Sequence, residues 1–127
     1  LYWMIQPGSY LKTSDNSGAK QVQCIKIIKK SGRESGFIGD FALVSIKKLR
    51  YKGNRRVKKK ELCIALIIQT PRKISRMDGR SIKFAYHKCI VLNRKYKVLG
   101  TRIFGVLSKE LRKKKMVKTL SLSTKII

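Results

Sequence analysis

Short segments with strand-like patterns of apolar and polar residues run through the first 92 positions of the chain. Some alternate apolar and polar residues, whereas others are continuous apolar runs that are too short to indicate a helix. Turn-forming or charged residues separate them. This spacing predicts an all-β fold of five strands. In chain order the predicted strands are Val22–Ile28, Phe41–Ile46, Leu62–Ile68, Ser81–Phe84 and Cys89–Leu92.

The turn signals and the chain length indicate how these strands are arranged. Met77-Asp78-Gly79-Arg80 predicts a hairpin turn, because Gly79 can adopt the positive φ that such a turn demands. Five short strands in 127 residues predict a small closed five-stranded β-barrel, since closure removes exposed strand edges. The length suits one domain, so residues 1–127 are assigned to a single barrel domain with an extension.

The pattern changes after about residue 100, where the extension begins. Ser108 can cap a helix, Glu110 lies in its first turn, and Lys113–Lys115 lie toward its end. These placements complement the helix dipole at both ends. We therefore predict a short C-terminal helix over roughly 108–115.

The charge of the chain restricts its partners. Thirty-two Lys and Arg face six Asp and Glu, for a net charge of +26, while 43% of the residues are hydrophobic. Self-repulsion at this level opposes a compact state, and binding a polyanion offsets it. A membrane surface is disfavoured, because the chain has neither a broad amphipathic helix nor an apolar run of transmembrane length. Nucleic acid is favoured, with architectural DNA binding as the alternative to RNA binding.

The longest basic run lies between two predicted strands, from residue 47 to residue 60. It holds nine basic residues and no acid, whereas a merely solvated loop normally mixes both signs. We interpret it as a phosphate-binding arm, with Arg76 and Arg80 beside the hairpin tip and Arg102 as further RNA contacts. Asp15 and Asn16 are expected to shape their own turn. The basic residues of the arm are Lys47, Lys48, Arg50, Lys52, Arg55, Arg56, Lys58, Lys59 and Lys60.

Residues suited to catalysis or metal binding are few. His87 and Cys89 could be considered a nucleophile pair, but no acid nearby orients them, so an enzyme is not predicted. The three cysteines, Cys24, Cys63 and Cys89, lie in apolar runs without any CxxC pair. We expect three buried, reduced thiols, no metal site and no cofactor.

Several short motifs occur together in a fixed order along the chain. The ordered set resembles the universal large-subunit ribosomal protein fourteen family, of the bacterial and organellar type, over residues 4–127. The motifs are Met4-Ile5-Gln6, Asp15-Asn16-Ser17-Gly18-Ala19-Lys20, Cys24-Ile25-Lys26, Ile38-Gly39-Asp40, Arg76-Met77-Asp78-Gly79, Ile82-Lys83-Phe84, Gly100-Thr101-Arg102-Ile103-Phe104-Gly105, Glu110-Leu111-Arg112 and Ser121-Leu122.

The resemblance implies a five-stranded β-barrel with a C-terminal extension of short helices and loops. It also implies binding to large-subunit ribosomal RNA near the subunit interface, beside other ribosomal proteins, and a bridge to small-subunit RNA. In bacterial and organellar members a ribosome-silencing factor docks on the same face. The positions that match this face are Thr101, Arg102, Lys118 and Ser121.

The sequence departs from the family pattern at several positions. Ala85-Tyr86-His87-Lys88 stand where the family usually has acids and Asn-Ala, and Val106 stands where many members have Pro. Leu1-Tyr2-Trp3 precede the usual start, and the first residues do not resemble a transit peptide. The bacterial-type motifs, the heavy use of Ile and Lys and the missing transit-peptide pattern together indicate an organelle-encoded, mitochondrial member, with plastid or bacterial cytoplasm as the alternative.

Overall fold

A computed structural model describes residues 5–28, 36–50, 57–71, 74–75, 77–100, 103–107 and 123–126. These ranges contain nine strands and no helix. The predicted helix over 108–115 lies outside them. The strands are β1 (Tyr10–Thr13), β2 (Ala19–Ile27), β3 (Phe41–Leu49), β4 (Leu62–Gln69), β5 (Ile74–Ser75), β6 (Ser81–Ile82), β7 (Lys88–Leu92), β8 (Ile103–Leu107) and β9 (Ser123–Ile126).

Five of these strands close into a barrel in the order β1-β2-β3-β4-β7. Four of the five strand pairs are antiparallel, and the barrel closes through a parallel pair between β1 and β7. The predicted five-stranded barrel is confirmed. Four of the predicted strands coincide with β2, β3, β4 and β7, with differences at their ends.

The fifth predicted barrel strand is wrong. Of Ser81–Phe84, only Ser81 and Ile82 form a strand, and this strand pairs with β5 in a separate two-stranded sheet. The turn between them is the predicted hairpin turn, in which Gly79 adopts a φ of +88°. The fifth strand of the barrel is instead β1, which is only four residues long and has Leu11 as its single aliphatic residue facing inward.

Alternate residues of the five strands fill the barrel interior. Inward-facing aliphatic side chains on β2 and β3 include Val22, Val44 and Ile46, all fully buried. Two thiols, Cys24 and Cys89, belong to the same interior cluster. Because successive residues of a strand point to opposite faces, this alternation leaves the outward positions of β2 and β3 available for polar groups.

Strand β4 is buried on both of its faces. Ala65 and Ile67 face the barrel interior, whereas Leu66 and Ile68 belong to a second apolar cluster outside the barrel. The double burial explains the continuous apolar run in the sequence, because neither face requires polar residues.

The second cluster is covered by β8, which pairs in parallel with β9. Ile103 of β8 forms an isolated antiparallel bridge with Asp15, and the Phe104 amide donates a hydrogen bond to the Ser14 carbonyl. The Gln69 side-chain amide donates to the Val106 carbonyl at 2.6 Å. These contacts attach β8 across the outside of the barrel, beside the turn that joins β1 to β2.

Within the described ranges, no helix has the length and apolar character needed to cross a membrane.

The double burial of β4 predicts that alanine substitution of two leucines on this strand lowers the free energy of unfolding by very different amounts. Leu66→Ala removes a fully buried side chain and should lower the free energy of unfolding by about 2–5 kcal/mol. Leu62→Ala is the matched control, since Leu62 is 43% exposed, and should change it by less than about 1 kcal/mol. Urea unfolding followed by circular dichroism measures both. Equal losses for the two variants would contradict the double burial.

Candidate nucleic-acid interface

A row of long polar side chains crosses four neighbouring strands of the barrel. In the strand register, Lys88 of β7 lies opposite Lys12 of β1, Lys12 opposite Gln21 of β2, and Gln21 opposite Lys48 of β3. Adjacent strands are about 4.8 Å apart, so the row spans roughly 14 Å of the barrel surface. Lys12 and Lys48 are exposed, whereas Gln21 and Lys88 are half-buried. The barrel therefore fixes the spacing of three ammonium-bearing side chains through its backbone hydrogen bonds.

This row borders an open groove of about 540 Å³. We call it the basic groove, because four of its six lining residues carry a positive charge and none carries a negative one. The register of β2 and β3 shifts between Ala19 and Gln21, and the residue between them, Lys20, is exposed. The irregularity thus adds a cation at this end of the barrel. The lining residues are Lys12, Thr13, Lys20, Gln21, Lys48 and Arg50.

Arg50 is held in the basic groove by contacts of both its backbone and its side chain. Its backbone amide donates to the Gly18 carbonyl at 2.8 Å, and its guanidinium donates to the Thr13 carbonyl at 3.5 Å. The guanidinium carbon also lies 5.6 Å from the centre of the Phe104 ring, within the range of a cation–π interaction. These contacts restrict the side chain, so less conformational entropy is lost when it binds an anion.

The turn beside the basic groove is built on a buried carboxylate. Asp15 is fully buried; its Oδ1 accepts a hydrogen bond from the Ser17 hydroxyl at 2.8 Å, and its Oδ2 accepts one from the Val91 amide at 3.1 Å. Burial raises the pKa of Asp15 above its ordinary value of 3.8, although these hydrogen bonds and the charge of Arg50 act in the opposite direction. Asp15 therefore joins the β1–β2 turn to β7 inside the fold.

An aromatic ring adjoins the basic groove at the β7 side. The Lys12 Nζ atom lies 4.4 Å from the centre of the Tyr86 ring. Tyr86 is 56% exposed, so the ring remains open to solvent beside the lysine row.

The structure divides the predicted arm into parts. Lys47 and Lys48 belong to β3, Arg50 follows that strand directly, and Lys58–Lys60 form an exposed turn just before β4. The structure places these residues at one end of the barrel. Their binding to RNA stays a prediction. The other three basic residues of the arm lie outside the described ranges; they are Lys52, Arg55 and Arg56.

The returning end of the arm is attached to β3. The Lys60 amide donates to the Ile46 carbonyl at 2.7 Å, and the Ile46 amide donates to the Glu61 carbonyl at 3.0 Å. The Glu61 carboxylate accepts a hydrogen bond from the Lys58 amide at 2.8 Å, which closes the turn. Lys58–Lys60 are thereby held beside the end of β3 that carries Lys47 and Lys48.

The hairpin tip differs from the basic groove in its charge balance. Arg80 Nε donates to Asp78 Oδ2 at 2.7 Å, and the Arg80 amide donates to Asp78 Oδ1 at 3.1 Å. Part of the Arg80 charge is therefore offset by its own turn. Other predicted positions lie outside the described ranges, namely Arg76, Thr101, Arg102, Lys118 and Ser121.

The three cysteines are buried and free, as their apolar sequence surroundings predict. Burial raises the pKa of Cys24 and Cys63 to about 11 and that of Cys89 well above its ordinary value. Cys89 is fully buried in the barrel interior, so its sulfur does not face a ligand surface. The described residues hold no group of three or more His, Cys, Asp or Glu side chains that could bind a metal ion.

Sequence reasoning missed half of the cations in the basic groove. It identified Lys48 and Arg50, which lie in the long basic run, but not Lys12 and Lys20. Neither of these two lysines has another basic residue next to it in the sequence, and only the barrel register brings them beside Lys48. Lys12 could have been found by recognising β1 as a strand, and Lys20 by beginning β2 at Ala19 instead of Val22.

The raised pKa of Asp15 predicts how stability depends on pH. The folded chain favours the neutral carboxyl, so this group stabilises the fold below pH 3.8, and that contribution is lost as pH rises through the folded pKa. Asp15→Asn retains an acceptor for the Val91 amide and cannot ionise. The free energy of unfolding of Asp15→Asn should therefore gain on that of the unaltered chain as pH rises from about 4 to 7.

Two comparisons make this test specific. Asp15→Ala leaves the Val91 amide and the Ser17 hydroxyl without this acceptor, and should cost about 1–3 kcal/mol at neutral pH. Denaturant unfolding at several pH values gives all three stabilities. A difference between Asp15→Asn and the unaltered chain that stays constant with pH would show that the carboxyl does not titrate in this range.

One comparison with known proteins covers almost the entire chain. The family model described as Ribosomal protein L14p/L23e matches residues 4–127. The match includes every strand of the barrel, the basic groove and the hairpin. It spans the same residues as the ordered motifs in the sequence.

Proposed function

Because the chain belongs to the ribosomal protein L14p/L23e family, we propose that the basic groove is its principal contact with large-subunit ribosomal RNA. The observation that carries this proposal is the lining of the groove, which contains four cations and no carboxylate. Three of the cations lie on strands of the closed barrel, and the fourth, Arg50, directly follows β3. Sugar and phosphate groups are the surfaces that folded RNA offers most readily, since its deep major groove hides the base edges.

The family itself defines the general role of the chain. It is a structural constituent of the large ribosomal subunit, and ribosomal RNA and ribosomal proteins are its partners. The expectation that the chain is not an enzyme is confirmed by this membership.

The mechanism of binding is electrostatic and preorganised. Each phosphate neutralised by Lys or Arg releases condensed counterions, which favours association most at low salt. A lysine on a flexible loop loses rotational freedom of both backbone and side chain on binding, whereas Lys12, Lys20 and Lys48 stand on hydrogen-bonded strands. The predicted arm extends this surface, since Lys58–Lys60 return to the same end of β3.

A second part of the proposal concerns the subunit interface. We assign Thr101, Arg102, Lys118 and Ser121 to a face that contacts small-subunit RNA and forms an intersubunit bridge, and on which a ribosome-silencing factor can dock. The position of Ile103 supports this assignment. Ile103 directly follows Arg102 in the sequence, and it forms a β-bridge with Asp15 beside the basic groove. The face would then adjoin the surface that binds large-subunit RNA.

The cellular location follows the ribosome. Within that location we propose the mitochondrial ribosome, on the basis of the motif type and the heavy use of Ile and Lys, with plastid or bacterial ribosomes as the alternative. Sedimentation of the chain with large subunits from each compartment separates these cases.

Architectural DNA binding shares the positive charge but not the family membership. Co-sedimentation of the chain with large subunits should persist after DNase treatment and be lost after RNase treatment. The reverse pattern would favour DNA.

Removal of the groove lysines should reduce the salt dependence of RNA binding. In Lys12→Gln/Lys20→Gln/Lys48→Gln, the slope of log K against log salt should become shallower by about 2, because each lost phosphate contact contributes about 0.7–0.9. A binding titration of a large-subunit ribosomal RNA fragment at four or more salt concentrations measures this slope.

A charge-matched control separates the groove from net charge. Lys26→Gln/Lys95→Gln/Lys97→Gln removes the same three charges from exposed positions that do not line the groove. Lys26 lies six residues from Lys20 along β2, about 20 Å in an extended strand. The control variant should keep a slope close to that of the unaltered chain. An equal change in both variants would mean that net charge, and not the groove, determines binding.

A further inference from the structure

We propose that Tyr86 is a stacking platform for an unpaired nucleotide of the bound RNA, with Lys12 and Lys88 beside it to meet the neighbouring phosphates. This inference rests on the proposed function and deepens it, since it names the kind of RNA element that the edge of the basic groove receives.

The backbone holds Tyr86 next to the lysine row. The Lys12 amide donates a hydrogen bond to the His87 carbonyl at 3.1 Å, one residue after Tyr86. Lys12 also lies opposite Lys88 in the parallel pair of β1 and β7. Tyr86 lies in the bend that precedes β7, and this hydrogen bond fixes the end of that bend to β1.

The Tyr86 ring contacts Lys12 and is still partly exposed to solvent. Lys12 Nζ lies 4.4 Å from the ring centre, at the distance of a cation–π contact, and Tyr86 nevertheless remains 56% exposed. Aromatic rings beside basic residues bind unpaired bases by stacking, largely without regard to sequence. Tyr86 is such a ring, because it is exposed and lies at the border of the basic groove.

Other aromatic rings in the described part of the chain are engaged differently. Tyr96 packs edge-on against Phe41, with ring centres 5.0 Å apart and an angle of 82° between the planes. Phe104 lies under the Arg50 guanidinium. Tyr10 is 54% exposed, but its partner in the strand register is the uncharged Gln23. Lys12, on the same strand, lies opposite Lys88. Tyr10 thus provides a control with similar exposure on the same strand face as Lys12.

The residues around Tyr86 favour a nucleotide over a protein surface, because a protein surface normally carries charges of both signs and would need acids here as well as bases. No acidic residue occurs between Gly79 and Lys109 in the sequence. The segment Ala85-Tyr86-His87-Lys88 places an aromatic ring two residues before a lysine and contains no acid. Phosphate and base together match that combination.

The experiment compares two RNAs and three variants. One RNA is a hairpin with an unpaired loop, and the other is a fully paired duplex of equal charge. Tyr86→Leu should lower affinity for the looped RNA by about tenfold, with little change for the duplex and no change in the salt slope. Tyr86→Phe should bind within twofold of the unaltered chain, because the ring is kept. Tyr10→Leu should also bind within twofold.

A second measurement, in which the RNA is altered as well as the protein, completes the test. Loop nucleotides are replaced one at a time by abasic sites; one position should weaken binding by the unaltered chain and have no further effect on Tyr86→Leu. This coupling cannot arise from a folding defect in the variant, which circular dichroism checks independently.

Each outcome separates the stacking proposal from the groove proposal. If Tyr86→Leu binds looped RNA as well as the unaltered chain does, or Tyr10→Leu loses as much, the stacking assignment is overturned. The groove stands in that case, provided that Lys12→Gln/Lys20→Gln/Lys48→Gln still reduces the salt slope. If that triple variant has no effect either, the proposed function also fails. Loss of duplex and looped RNA binding to the same extent would assign Tyr86 to backbone positioning and overturn the stacking role.

Discussion

The burial of β4 on both faces is the constraint on which the arrangement of the molecule depends. One set of its side chains fills the barrel, and the other set needs a cover on the outside, which β8 supplies. Covering this side brings Ile103 and Phe104 to the turn that follows β1. The outer faces of β1, β2 and β3 at that end of the barrel are left for polar groups, and they carry the lysine row. An apolar outer side and a basic outer side are thus two consequences of one packing requirement.

A net charge of +26 makes this separation important for stability. Cations on the outer face remain hydrated, whereas a cation in the barrel interior would require a partner or deprotonation. The buried carboxyl described near the groove, Asp15, accepts hydrogen bonds from the Ser17 hydroxyl and the Val91 amide and thereby stabilises the turn, while burial raises its pKa. The lysines of the row lie opposite Gln21 or one another in the strand register. Their repulsion is left to be offset from outside, and a polyphosphate chain is suited to that role.

The strands that could be predicted are those whose burial is visible as an apolar pattern. Strand β4 appeared as a continuous run because both faces are buried, and β2 and β3 appeared because their inward positions are aliphatic. Strand β1 could not be recognised, since one of its two inward residues is Thr13, whose hydroxyl donates to the Ala19 carbonyl within the barrel. Ile82 and Phe84 looked like barrel residues, but Phe84 packs on the outer apolar cluster, which requires no barrel strand.

The candidate site was predictable only where its residues are neighbours in the sequence. Lys48 and Arg50 belong to a dense basic run, whereas Lys12, Lys20 and Lys88 come from other strands and meet through the register. The same register explains why density of charge is a poor guide to binding. Arg80 stands in an obvious basic position, yet Asp78 in its own turn accepts two of its hydrogen bonds. Arg50 is held in the basic groove by the Thr13 carbonyl and the Phe104 ring, and its charge also acts on the buried Asp15. The partners of each cation in the fold, rather than the number of cations nearby, determine how much of its charge an RNA can use.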